Sequence, residues 1–219
     1  MGKNKRLKKM IIIGLPALLV AVVLIVVTLA TTVFKPVPVL VNMGEPIQLS
    51  QEQDMQTVGP FFTYSAGLTW KSGTLRITVE KATLYPNLAS SGISATELAH
   101  YSEEQLQQPF LLLEITAENV DAQFFSPHMY FNTGSLVPAE AFSGWNVLRA
   151  EDFPNIAPRY FSDHQPQDDE RKDYWAGTLE AGESKTYQVG YFLPDTSQSY
   201  ILRYGSNGLC SKYGTRLEY

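Results

Sequence analysis

The sequence predicts an all-β, two-sheet antiparallel sandwich with a short helical insertion, carried behind one N-terminal transmembrane helix. Three observations predict it: a charge-free apolar run near the start, a hydrophobic period of two after about residue 58, and turn chemistry between the resulting strands. The chain has 219 residues, 44% of them apolar and 18% charged. That balance supplies a buried core, and the length suits one domain with attached segments.

Residues 11–34 form the apolar run, IIIGLPALLVAVVLIVVTLATTVF, 24 residues without a charge. A hydrocarbon core needs about 20 helical residues, so the run is long enough to span with some tilt. Pro16 sits early in it, where few intrahelical N–H bonds are lost. Lys3, Lys5, Arg6, Lys8 and Lys9 precede the run and Lys35 alone follows closely, which predicts a cytoplasmic N-terminus and residues 35–219 outside. The competing reading is a cleaved secretory signal, with Thr28 and Ala30 as small residues near a cut. A signal core usually has roughly 7 to 15 residues, so the length favours an uncleaved anchor. No cysteine stands near the end of the run, which excludes a lipid-modified amino terminus.

The division that follows is a basic cytoplasmic segment at 1–10, the anchor at 11–34, a stalk and linker at 35–57, and the sandwich at 58–219. Pro36 and Pro38 favour an extended chain in the stalk, and Ile47 to Leu49 is a short edge-strand candidate within the linker. The net charge of −5 is asymmetric: past residue 34 the chain carries 12 Lys and Arg against 22 Asp and Glu, a net of −10. An acidic body repels phosphate backbones and argues against nucleic-acid binding. The single cysteine, Cys210, excludes an intramolecular disulfide framework and a Cys-only zinc site.

Within the exported part, Leu75, Ile77 and Val79 alternate with Arg76, Thr78 and Glu80, the pattern of a strand with one buried face. Leu111, Leu113, Ile115 and Ala117 repeat it, and Asn119-Val120-Asp121 then carries turn chemistry. Tyr187, Val189 and Tyr191 form a third such face, entered through Glu180-Ala181-Gly182-Glu183 and closed by Pro194-Asp195. Tyr200, Leu202 and Tyr204 form the next, leading through an Asn-Gly hairpin signal at 205–208 into a terminal strand over 209–217. Residues 61–69, 123–132, 146–150 and 174–179 are further strand candidates. One segment, 94–107, reads as one or two short helices crossing between sheets. Ser94-Ala95-Thr96-Glu97 has the form of a capping box with Ile93 as its staple, and Ser102 to Gln105 repeats the signal before Leu106.

The succession of Leu75-Arg76-Ile77-Thr78-Val79, then Phe110 to Asn119, then Ala181-Gly182-Glu183 with Tyr187 to Pro194, then Tyr200 to Tyr204, resembles the immunoglobulin-like exported or membrane-anchored domains of monoderm bacteria. These are domains of unknown function, similar in architecture to a secreted mycobacterial immunoprotective antigen. The resemblance covers roughly residues 73–204, implies an immunoglobulin-like sandwich, and brings no catalytic residues with it. This chain departs from the plain form in a long aromatic and acidic stretch over about 142–174.

That stretch holds the candidate site residues. Asp163, Asp168 and Asp169 are hard oxygen ligands of the kind calcium prefers, although their spacing matches no EF-hand loop and Arg171 and Lys172 partly neutralise them. Trp145, Tyr174 and Trp175 are amphipathic aromatics suited to a binding surface, and equally to a sandwich core. His100, His128 and His164 show no His-Glu-x-x-His spacing, no Gly-x-Ser-x-Gly elbow is present, and Cys210 reads as a small strand hydrophobe. Leu193 to Ser197 resembles a cell-wall sorting motif only superficially and reads as a turn.

No catalytic residue, cofactor site or firm metal site emerges. The expectation is a non-enzymatic, membrane-anchored extracellular module for binding or structural work at the cell envelope, its partner a protein, a peptide or a glycan. An accessory or sensory subunit of a membrane complex is the alternative, and an unrecognised hydrolase a remote third.

Overall fold

The computed structural model of the chain describes residues 19–28, 38–50, 56–58, 62–64, 70–99, 101–124, 131–132, 134–143, 155–163, 176–177, 179–204 and 213–219. Two compact units are distinguished, residues 1–35 with 58–62, and residues 36–57 with 63–219. In the first, residues 19–28 are helical, with Leu19 and Val20 among its exposed side chains. Ten helical residues rise about 15 Å, roughly half a hydrocarbon core. Among the described residues no helix is long and apolar enough to cross a membrane. The rest of the 11–34 run lies outside them.

The second unit is mostly β. Its main strands are β1 (Val39–Asn42), β2 (Ile47–Ser50), β3 (Thr74–Tyr85), β4 (Phe110–Asn119), β5 (Ser135–Pro138), β6 (Tyr160–Phe161), β7 (Ser184–Phe192), β8 (Tyr200–Arg203) and β9 (Tyr213–Arg216). They form a four-stranded sheet, β1-β9-β8-β5, and a five-stranded sheet, β6-β7-β4-β3-β2. Every pairing in them is antiparallel except β1 with β9, which is parallel. This is a two-sheet arrangement consistent with a β-sandwich.

The inner faces meet in one core. Leu75, Ile77, Leu111, Leu113, Ile115, Tyr187 and Val189 from the larger sheet pack with Leu136, Tyr200, Leu202 and Tyr213 from the smaller. The alternating stripes of the sequence are therefore the buried faces, because period-two alternation sends every second side chain to the same side. One strand changes phase. The β3–β4 register shifts between Val79 and Lys81, leaving Glu80 as an extra residue, and beyond it Ala82 and Leu84 take up the inward positions. Gly44, at φ +78°, donates its N–H to the Val79 carbonyl at 2.9 Å, tying the β1–β2 turn to this bulge.

Chain crossings stitch both open sides of the sandwich. On one, the four residues 43–46 carry the chain from β1, at the edge of the smaller sheet, to β2, at the edge of the larger. On the other, Ile156 exchanges both backbone hydrogen bonds with Leu136 of β5, each 2.9 Å, before Tyr160 and Phe161 pair with β7. Exposed strand edges invite pairing with other chains, and these crossings reduce what is exposed. The 35–57 segment, expected as stalk and linker, thus contributes β1 as well as the edge strand β2.

The segment 94–107 departs from expectation in two ways. It lies in the connection from β3 to β4, neighbours in one sheet, rather than crossing between sheets, and its turns are short 3-10 segments, Ala95–Glu97 and Gln105–Gln107, preceded by another at Leu88–Ser91. The capping box is present, with Ser94 N–H donating to Glu97 Oε2 at 2.9 Å. A box satisfies one turn, but nothing beyond Glu97 propagates it, because Leu98 is extended and buried. Leu88, Leu98, Ile93 and Leu106 gather with Phe110, Leu112, Tyr160 and Phe192 in a second cluster. Leu112 points away from the main core, and this connection is what covers it. Gly190 makes room there, since a Cβ at that position would meet the Phe110 ring at 2.2 Å.

Candidate functional site

Strand direction sorts the connections into two groups. β4 and β8 end, and β3, β5, β7 and β9 begin, at one end of the sandwich, here the entry end because β1 also begins there, parallel to β9. The connections 51–73, 120–134, 162–183 and 204–212 leave from it. Connections 43–46, 86–109, 139–159 and 193–199 belong to the far end.

Asn119 organises the entry end. It is fully buried at the close of β4, where its side-chain amide donates to the carbonyls of Ala122 and Leu179 at 3.3 and 3.2 Å and its oxygen accepts the Ala122 N–H at 2.7 Å. Its backbone N–H donates to the Glu183 carbonyl at 2.9 Å, and its carbonyl accepts from Gly182 at 2.7 Å. One side chain thus holds the start of the 120–134 connection against the end of 162–183. Two short ladders extend that end, Trp70–Ser72 with Gln123–Phe124 and Phe131–Asn132 with Ala176–Gly177.

Asp195 organises a far-end turn. Its carboxylate accepts from Ser197 N–H and Oγ at 2.8 and 2.7 Å and from Gln198 Nε2 at 2.9 Å, and these bonds hold its pKa below the ordinary carboxylate value. Its carbonyl accepts the Tyr200 hydroxyl at 3.0 Å. The expected turn at Leu193 to Ser197 is this structure.

Of the calcium candidates, Asp163 lies two residues past the end of β6, and Lys185 Nζ approaches its Oδ2 at 2.6 Å. The same ammonium stands 5.4 Å from the centre of the Tyr187 ring. Burial first, and the Asp163 charge second, push the Tyr187 phenol up. Asp163 therefore already has a cationic partner. Asp168 and Asp169 lie outside the described residues, as do Trp145, Tyr174, Trp175, Cys210, His100, His128 and His164. Among the described residues no group of three or more His, Cys, Asp or Glu is placed to hold a metal ion. β6 interrupts the 142–174 stretch.

Several other buried polar side chains among the described residues bond within the fold. Tyr204 Oη and Thr215 Oγ1 are 2.9 Å apart, Tyr191 Oη donates to the Gly134 carbonyl at 3.4 Å, and Arg203 Nη2 donates to Ser135 Oγ at 3.3 Å. Sequence reasoning missed the roles of Asn119 and Arg203, whose partners are distant along the chain. No protein-family model matches this chain, and neither a curated protein nor a solved structure matches it.

Proposed function

We propose that residues 36–57 with 63–219 form an immunoglobulin-like domain of constant-type topology, displayed outside a monoderm bacterial cell by the 11–34 span as a non-enzymatic binding or structural module. Strand order supports the fold. The constant-type sandwich places strands A, B, E and D in one sheet and C, F and G in the other. Taken in chain order, β3 to β9 fill these seven places: β3, β4, β7 and β6 are neighbours in one sheet, and β5, β8 and β9 in the other.

The observation that carries the reading is the Tyr200 hydroxyl bonded to the Asp195 carbonyl at 3.0 Å. A tyrosine at the start of strand F that bonds back to the backbone a few residues upstream is the tyrosine corner of this architecture. Two residues on, where antibody domains place their second cysteine, stands the fully buried Leu202. Core packing here takes the place of a disulfide, in keeping with one cysteine in the chain. β5 carries no tryptophan, another departure from antibody domains.

Immunoglobulin-like sandwiches present connections at their two ends as binding surfaces while the sheets stay rigid. The acidic body favours a cationic protein, peptide or glycan. The test exchanges residues 1–34 for an unrelated single span and places a photo-crosslinker at Gln198 in intact cells. A crosslinked partner retained after the exchange supports the module. Loss of that partner supports the subunit of a membrane complex instead.

A further inference from the structure

Of the five methionines, Met1, Met10, Met55 and Met129 lie outside the described residues, and Met43 stands at the first position of the 43–46 crossing. From its contacts we infer that Met43 is a site of reversible oxidation by a hydroperoxide, and that its sulfoxide unlatches the β1–β2 crossing from the segment that follows β9.

The Met43 side chain is half-buried against the main core, and its sulfur accepts the Glu218 N–H at 3.2 Å across 175 positions of sequence. Bonds on either side hold this contact in place. In the crossing, Glu45 N–H donates to the Asn42 carbonyl at 3.2 Å, Asn42 N–H donates back to Glu45 Oε2 at 2.9 Å, and Gly44 is bonded to Val79. After β9, Leu217 N–H donates to the Tyr200 carbonyl at 3.2 Å and the Tyr219 hydroxyl to the Gln198 carbonyl at 3.1 Å. The sulfur therefore joins the end of β1 to the end of β9, just past the paired Asn42 and Arg216.

A leucine at this position could pack but could accept no hydrogen bond, and it would carry no nucleophilic atom. A thioether has two lone pairs, of which the Glu218 N–H engages one. Asn42, Gly44, Glu45 and Pro46 are exposed, and a Cβ built on Gly44 would meet nothing within 4 Å, so the turn leaves a small peroxide an open approach to this side chain. The sulfur attacks one peroxide oxygen; an S–O bond forms as the O–O bond breaks. Sulfur is oxidised by two electrons, and the other oxygen leaves with the proton as an alcohol, or as water from hydrogen peroxide. In the sulfoxide the sulfur is the positive end of the S–O dipole and no longer accepts the Glu218 N–H. The side chain has also become polar where it packed on apolar neighbours. Both changes fall on one contact, so β1 loosens from β9 first at Asn42 and Arg216. A thiol-dependent sulfoxide reductase reverses the step: two thiols become a disulfide, and the oxygen leaves as water.

The experiment treats the folded full chain, purified in detergent, with hydrogen peroxide and maps each methionine by mass spectrometry. Met43 is expected to gain one oxygen while the protein stays folded. The thermal midpoint should fall by about 2–4 °C, the shift that losing one ordinary contact gives a domain of this size, and methionine sulfoxide reductases should restore it. Met43→Leu under the same treatment should keep its midpoint although the other methionines are oxidised. Met43 left unmodified, a midpoint unchanged by its oxidation, or an equal fall in Met43→Leu overturns the proposal. Hydrogen exchange at the Glu218 amide of the oxidised wild-type chain needs no variant: faster exchange is expected, and an unchanged rate overturns the latch.

Discussion

The hydroxyl of Tyr200 donates to the carbonyl of Asp195 at 3.0 Å, closing the turn that carries the chain from the five-stranded sheet to the four-stranded one. The phenyl ring of Tyr200 lies in the core, and its hydroxyl fixes where β8 starts relative to β7. Tyr200→Phe keeps the ring and removes the bond. A part-buried hydrogen bond of this kind contributes about 1 kcal/mol. The expected outcome is a lower denaturant midpoint with an unchanged slope; an unchanged midpoint would remove the corner from the energetics of the fold.

Asn119→Ala is the more damaging change. It strips the Ala122 N–H and the carbonyls of Ala122 and Leu179 of their side-chain partner in a fully buried setting. The expected loss is about 2–3 kcal/mol by the cost of unsatisfied buried groups. Native-state hydrogen exchange should quicken first at Ala122 and Gly182, because the entry-end connections loosen before the strands do.

Alkaline pH should unfold the domain through its tyrosines. Burial pushes the Tyr191 and Tyr204 phenols above their ordinary value of 10.0. In the unfolded chain they ionise near that value and in the fold they do not. Their contribution to stability is therefore complete below pH 10 and is lost as pH rises beyond it. A titration should show phenolate absorbance from these residues arising together with loss of structure, and Tyr191→Phe should move that transition upward in pH.

Calcium should leave stability unchanged. Lys185 balances Asp163 across a partly exposed pair, a contact worth no more than about 1 kcal/mol. A chelator should not shift the thermal midpoint of the wild-type chain. A midpoint that falls with chelator and recovers with calcium would revive Asp163, Asp168 and Asp169 as ligands.

The sequence made some of this legible and hid the rest for physical reasons. The stripes on β3, β4 and β7 were visible because one face of each is buried, so alternation records burial directly. The phase change at Glu80 was not, since a bulge is a property of the paired strand. β5 was missed because Leu136, Val137 and Pro138 are all buried and leave no alternation to read, and β6 because it has two residues. The capping box at Ser94 is a local signal and was found; the 3-10 character of the turn came from Leu98 being drawn into a cluster with Phe110. Asn119 announced a turn, but its bond to Leu179 spans 60 positions. Asp163 was recognisable as a carboxylate beside others, while Lys185, which holds it, lies 22 positions away.

The most direct measurement is surface labelling of intact cells of a monoderm host producing the full chain with Cys210→Ser and Glu103→Cys, using a membrane-impermeant maleimide. An outward, anchored sandwich predicts labelling in intact cells and a protein that stays with the membranes through an alkaline wash. Labelling only after lysis, or release by the wash, would contradict it.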